Sequence, residues 1–287
     1  RHGAIVTDSA ADIPEPVMSE LDIHMVPLRV QFGSESFLDK TGMSPAEFRT
    51  ELRTNPDTPG TSQPTQGDYR RMFEFLGTHF EHVTSINLGA ELSGTYQGAC
   101  TAAARTEASE RITIIDSSNV SVGQGLLVAF AARTAADGIH GQRLHDLIRA
   151  EKTRIRTFAL VTDLTNAVRS GRVRPFLKTL TNGLRITPVL TNTPEGKIGV
   201  CGYLPGRFRL VRRFAKLMAR QLNPDSEWEI AIARDTEQAA NADLLLAALQ
   251  EVHPHVRLAW QTDLGPAFGV HAGMNALVIA VRQIPLD

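Results

Sequence analysis

Cysteine is almost absent from this 287-residue chain, which has only Cys100 and Cys201, far apart in sequence. That excludes a disulfide scaffold, leaves no cysteine-based metal site and suits a reducing, cytoplasmic compartment. Surplus charge is missing too. Lys and Arg number 30 against 31 Asp and Glu, a formal net charge of −1. No global basic field recruits nucleic acid, and no polybasic tail recruits a membrane. No apolar run reaches the roughly 20 residues of a helical membrane span, so stable insertion is not expected. The opening Arg1-His2-Gly3-Ala4-Ile5-Val6 enters a strand-like run at once and carries no signal-peptide pattern. Neither a GxxxxGK(S/T) loop nor a GxGxxG after a strand occurs, so nucleotide phosphates are not expected here. No pattern asks for a metal or a cofactor.

What is present is a globular composition, 42% hydrophobic and 21% charged. The length suits two α/β domains of ordinary size. Candidate chemistry concentrates at Asn87-Leu88-Gly89-Ala90-Glu91-Leu92-Ser93-Gly94-Thr95-Tyr96. The β-branched run His82 to Ile86 leads in, and the Ala- and Gln-rich run Tyr96 to Ala108 leads out, predicting strand, tight turn and helix. The first N–H groups of a helix lack intrahelical partners and sit at the positive end of its dipole. Ser93 and Gly94 there form a socket for an anion, or else an ordinary N-cap and a packing glycine.

Elsewhere the first half alternates. Ala4 to Thr7 is a strand ending at Asp8-Ser9, polar residues at the strand end where α/β sheets bind ligands. Asp12 reads as a helix cap. Ile23 to Val30 reads as one strand, and Phe32 to Phe37 as a hairpin turning at Gly33-Ser34. Ser44-Pro45-Ala46-Glu47 is a capping box. In Asn55 to Thr65, three prolines and a glycine argue against regular structure, leaving a stiff loop that presents Thr61 and Ser62. Ile112 to Ile115 is a strand ending at Asp116-Ser117, followed by helices near Gly125 to Ala136 and Gly141 to Thr153. Such alternation predicts a parallel sheet whose ligand side is rich in hydroxyls and poor in basic residues.

A second domain, 154–287, follows the first, 1–153. Its predicted strands are Phe158 to Val161, Ile186 to Leu190, Lys197 to Leu204, Glu229 to Ala233, Val256 to Trp260 and Ala276 to Val281. Arg207 to Leu222 reads as a basic amphipathic helix packed through Phe208, Val211, Phe214 and Leu217, its arginines a solvated face or a surface for an acidic partner. His271 lies among glycines in an apolar segment. It is a satisfied structural histidine, or it reaches the Ser93 socket as hydrogen-bond donor or general base.

Several motifs in order resemble the bacterial DegV family: Thr7-Asp8-Ser9-Ala10-Ala11-Asp12, Thr61-Ser62-Gln63-Pro64-Thr65, Leu92-Ser93-Gly94-Thr95-Tyr96-Gln97, Asp116-Ser117, Ser170-Gly171-Arg172-Val173 and His271-Ala272-Gly273. The resemblance implies two α/β domains, the first on a parallel sheet, with a long-chain fatty acid bound between them. It further implies a non-catalytic subunit of fatty acid kinase, which presents the acid to a separate ATP-using subunit for acyl-phosphate formation. By carry-over, Thr61, Ser93, the Gly94 N–H and His271 hold the carboxylate. Phe158, Phe176, Leu180, Ile186, Leu190 and Phe268 are candidates for the acyl sleeve, core packing being the other reading of each. Arg207 is the candidate for partner docking. Met274-Asn275 departs from the family's Pro-Gly. The competing reading is a serine hydrolase or acyltransferase with Ser93 as nucleophile and His271 as base. However, Glu91 stands where a G-x-S-x-G elbow needs its first glycine.

Overall fold

The computed structural model describes residues 2–273 and 275–284, so Arg1, Met274 and residues 285–287 lie outside it. Among the described residues, thirteen strands sort into three sheets. The amino-terminal part supplies β1 (Gly3–Asp8), β2 (Ile23–Val26), β3 (Arg29–Phe32), β4 (Glu35–Leu38), β5 (Pro59–Ser62), β6 (His82–Asn87) and β7 (Ile112–Asp116). Of these, β2-β1-β6-β7 form a wholly parallel sheet. The chain leaves β1 toward β2 on one side and returns through β6 on the other. That reversal opens a crevice beyond the carboxyl ends of β1 and β6, the usual ligand position in such sheets.

The predicted strand Ile23 to Val30 is two strands in different sheets. Pro27 has no N–H to donate to a ladder, and beyond it β3 joins β4 and β5 in a small antiparallel sheet. The Asn55 to Thr65 stretch is likewise not wholly irregular, because Pro59–Ser62 pairs with β3. Pro59 opens an edge strand there, one of the few places where a sheet accepts proline.

The remaining strands are β8 (Ile155–Val161), β9 (Ile186–Asn192), β10 (Ile198–Pro205), β11 (Glu227–Arg234), β12 (Val256–Asp263) and β13 (Ala276–Ile284). They form one sheet in the order β10-β9-β8-β13-β11-β12, antiparallel except between β11 and β12.

The helices are α1 (Glu15–Glu20), α2 (Pro45–Thr54), α3 (Gln66–His79), α4 (Thr95–Ala104), α5 (Ser121–Ala136), α6 (Gly141–Lys152), α7 (Thr165–Arg169), α8 (Pro175–Gly183), α9 (Leu210–Ala219), α10 (Ala239–Val252) and α11 (Pro266–Ala272). The predicted capping box of Ser44 with Glu47 forms, and Thr65 makes a second one with Asp68. The basic helix is shorter than its pattern. Arg209 takes a left-handed conformation ahead of α9, and Phe208, expected to pack, is 77% exposed.

Helix α5 touches β1 of the parallel sheet and β8, β11 and β13 of the mixed one. Enclosed between two sheets, it is apolar around most of its circumference, with Val122, Leu126, Leu127 and Val128 buried. On its far face the mixed sheet carries a second core formed with α9 and α10, including Phe158, Leu160, Phe214, Met218 and Leu245. No helix among the described residues is long and apolar enough to cross a membrane.

Candidate functional site

The carboxyl end of β1 is held by a buried polar network. The Asp8 carboxylate accepts from the Leu88 N–H at 2.7 Å, the Ala10 N–H at 3.0 Å and the Gln124 side-chain amide at 3.1 Å. Burial pushes its carboxyl above the ordinary range, against those hydrogen bonds. Asp116 accepts from the N–H groups of Ala90 and Ser118. Two strand-end carboxylates therefore hold the loop from Leu88 to Ser93 in place. At its end the Ser93 hydroxyl accepts from the Thr95 N–H at 3.2 Å and lies 2.8 Å from the Thr95 hydroxyl. Gly94 stands at the N-cap of α4. A Cβ there would meet the carboxamide oxygen of Gln63, the far end of a side chain that can turn away.

Beyond this loop is a cavity of about 1040 Å³, counting the part open to solvent. Its walls come from both sheets. Leu28, Thr61, Leu88, Leu92, Ser93 and Val120 face Ala159, Val161, Ala167, Val173, Leu190, Ile198 and Val278, with Ala267, Phe268, His271 and Ala272 of α11 closing one side. Thr61, Ser93 and His271 are among its polar lining side chains, together with Thr157, Thr191, Asn192, Arg172 and Lys197.

His271 Nε2 lies 3.0 Å from the Thr61 hydroxyl. Its Nδ1 is buried with no hydrogen-bond partner among the described residues. Burial, and then the positive charges of Arg172 and Arg169, pull the imidazole down to about 4, so it is neutral near pH 7. An orphaned buried N–H is rarer than an unused acceptor. We therefore assign the proton to Nε2, which donates to Thr61 and leaves the Thr61 hydroxyl hydrogen free to face the cavity.

A family model described as an uncharacterised protein of the DegV family matches residues 2–283. The chain belongs to the DegV family. A DegV domain-containing protein of Caldanaerobacter subterraneus subsp. tengcongensis is 30% identical over 275 residues, 95% of this chain and 96% of that protein. The fold is shared with a fatty-acid-binding DegV family protein of Thermus thermophilus, at a TM-score of 0.90 and 23% identity, covering 99% of this chain and 100% of that one. It is also shared with DegV of Bacillus subtilis, a fatty acid binding protein, at 0.86 and 25%, covering 99% of both chains.

In this DegV family member, Thr61, Ser93, His271, Leu190 and Phe268 line one cavity. Gly94 adjoins Ser93 but is exposed. The other four sleeve candidates do not line it. Side chains alternate along a strand, so Thr157, Ala159 and Val161 of β8 face the cavity while Phe158 and Leu160 point into the α9–α10 core. Phe176 projects outward, 51% exposed, one position round α8 from buried Leu177. Leu180 packs against the inter-sheet core rather than the cavity. Ile186 shares a face with Leu190 but lies about 13 Å farther along β9.

Asp12 does not cap the next helix, whose N-cap residue is Pro14. It adopts φ 44° and accepts from the Gly265 N–H at 3.0 Å and the Ser121 hydroxyl at 2.7 Å, and Lys40 pairs with it at 2.8 Å. The first half of the chain lines the cavity with no basic side chain, as expected, but Arg172 and Lys197 reach it from the second half. Arg207 is elsewhere, donating to the Thr162 carbonyl at 3.3 Å. It lines a separate groove of about 920 Å³ with Arg209, Arg212, Asn241 and Asn275. Ser93 and His271 take different partners, Thr95 and Thr61, so no nucleophile–base pair is formed between them.

Proposed function

We propose that this chain binds one long-chain fatty acid, with the carboxylate at Thr61, Ser93 and the Gly94 N–H and the tail in the inter-sheet cavity. The observation that carries the reading is a largely aliphatic cavity lined by the hydroxyls of Thr61 and Ser93, with His271 hydrogen-bonded to Thr61. Hydroxyls and a helix-terminal N–H make short charge-assisted bonds to a carboxylate. Neutral His271 does not neutralise the anion. It holds Thr61 so that the hydroxyl donates outward. Each methylene buried along Ala159, Val161, Leu190 and Val278 contributes about 0.8 kcal/mol. The similarity to fatty-acid-binding DegV proteins of T. thermophilus and B. subtilis supports the same ligand class.

In this reading residues 1–153 form the domain that supplies the carboxylate loops, and 154–287 the domain that supplies the acyl wall and His271. The protein is a cytoplasmic, non-catalytic carrier that presents its acid to a separate ATP-dependent kinase subunit for acyl-phosphate formation. That subunit docks at Arg207 and the neighbouring arginines of the same groove. Native mass spectrometry of the purified protein, followed by extraction, tests the ligand. One long-chain fatty acid per chain is expected. A protein that stays empty and refuses both palmitate and oleate would overturn the reading. For the partner, Arg207→Glu should lower acyl-phosphate formation with a kinase subunit while leaving palmitate affinity unchanged.

A further inference from the structure

Helix α11 carries His271 and Phe268 into the cavity, yet it has no cap of its own. Its N-cap residue is Gly265, which has no side chain, and Pro266 at the first helical position has no N–H. The first N–H that needs an acceptor belongs to Ala267. It donates to Asp39 Oδ1 at 3.1 Å, across 228 positions of sequence. The other Asp39 oxygen accepts from the Ser9 hydroxyl at 2.6 Å, and Ser9 Oγ in turn accepts from the Leu28 N–H at 2.9 Å. One residue before the helix, the Gly265 N–H donates to Asp12. Lys40 bridges this pair of carboxylates to the chain, donating to the Ser9 carbonyl at 2.6 Å and pairing with Asp12.

From these contacts we infer that Asp39 is a positioning residue for the carboxylate site. It supplies in trans the N-cap of α11 and so sets where His271 meets Thr61. The inference rests on the proposed fatty-acid reading for its effect on affinity, but its structural half stands apart from it.

Three observations make the cap more than one hydrogen bond among many. Asp39 is fully buried, and its two oxygens join two segments far apart in sequence, Ser9 just after β1 and the start of α11. Helix α11 has under two turns, so a tilt at its first turn is carried directly to His271 in its last. The opposite side is tightly packed: a Cβ at Gly269 would lie 2.6 Å from the Phe48 ring. The helix therefore has no slack with which to absorb a displacement. The groups facing Asp39 are Ser9, Leu28 and Ala267 by hydrogen bonds of this network, with Lys40 attracting and Asp12 repelling its charge. Burial outweighs Lys40 and raises the Asp39 carboxyl to about 6. A carboxylate is thus kept in the interior where an apolar residue would cost less, which fits a task that needs its two acceptors.

The test compares Asp39→Ala with Asp39→Asn. Asparagine keeps an oxygen for the Ala267 N–H and can turn its amide toward Ser9, whereas alanine removes both contacts. Palmitate affinity should fall about tenfold in Asp39→Ala, the order of a lost helix cap, and stay within about threefold of the parent in Asp39→Asn. The imidazole ¹⁵N resonances of His271 in ligand-free protein, assigned by their loss in His271→Gln, should move in the alanine variant and not in the asparagine one. Ile230→Val in the distant α9–α10 core serves as the control, lowering the unfolding midpoint without moving either readout. An Asp39→Ala protein with parental affinity and an unmoved His271 signal overturns the inference. So does an asparagine variant that falls as far as alanine. If Asp39→Ala does not fold, Ser9→Ala, which frees one oxygen of the carboxylate, must shift the His271 signal or the inference fails. A parent that binds no fatty acid would refute the proposed function, while the His271 resonances would still decide the cap.

Discussion

Replacing His271 with glutamine should change how stability depends on pH, in a direction set by two opposed groups. The folded imidazole sits at about 4, against roughly 6.5 in an unfolded chain. Between those values the unfolded chain binds the proton and the folded one does not. Native stability from this group is full above about pH 6.5 and is lost as pH falls toward 4. Asp39 acts in the opposite sense. Its folded carboxyl lies at about 6, above the roughly 3.9 of an unfolded chain, so the native state takes up its proton first and gains stability as pH falls between them. Each pH unit between folded and unfolded values is worth about 1.4 kcal/mol. From about pH 7.5 to about pH 5, His271 therefore removes about 2 kcal/mol and Asp39 returns about 1.4 kcal/mol, a near cancellation in the parent. Urea unfolding of delipidated protein at the two pH values reads the difference directly. Relative to the parent, His271→Gln should gain about 2 kcal/mol on acidification and Asp39→Asn should lose about 1.4 kcal/mol. Taking each variant against the parent removes the contributions of other titrating carboxylates, such as Asp8 and Asp68, common to all three. A His271→Gln protein whose stability runs parallel to the parent's across this range would refute the burial argument.

Thr61→Val and Ser93→Ala should each weaken palmitate binding by about 1–3 kcal/mol, the range for hydrogen bonds to a charged group, as measured by titration calorimetry. Val278→Phe, on the cavity face of β13, should abolish binding while shifting the unfolding free energy by no more than about 3 kcal/mol. Phe158→Ala makes the complementary case. It should destabilise the fold by about 3–5 kcal/mol yet leave the affinity of the folded protein unchanged, because the ring faces the α9–α10 core. Weakened binding in folded Phe158→Ala would place that side chain back in the sleeve.

Local signals carried far in this chain. The strand ending at Asn87, the turn to Ser93 and the helix after it follow from a β-branched run, a glycine and an Ala-rich segment. Both capping boxes form because their geometry involves only residues three apart. Alternation along β8 already separated Ala159 and Val161 from Phe158 and Leu160, but it could not say which face was the cavity. That depends on which side of the sheet α5 and the parallel layer occupy. Proline signals were read too strongly at Pro59, because edge position, a property of the assembled sheet, decides whether a proline is tolerated.

What the sequence alone determined was the family and the alternating α/β architecture; Thr61, Ser93 and His271 it offered only as candidates. Their motifs are local, and each is carried by residue type and spacing. Tertiary structure alone decided that Thr61 and His271, 210 positions apart, share a hydrogen bond. Only folding could show that Asp39 caps a helix near the far end of the chain and that Asp12, a short-range cap by pattern, accepts instead from Gly265. The physical reason is common to all of these. A buried carboxylate or imidazole must find partners wherever packing brings them, and packing is set by the summed fit of both sheets, which no local window contains.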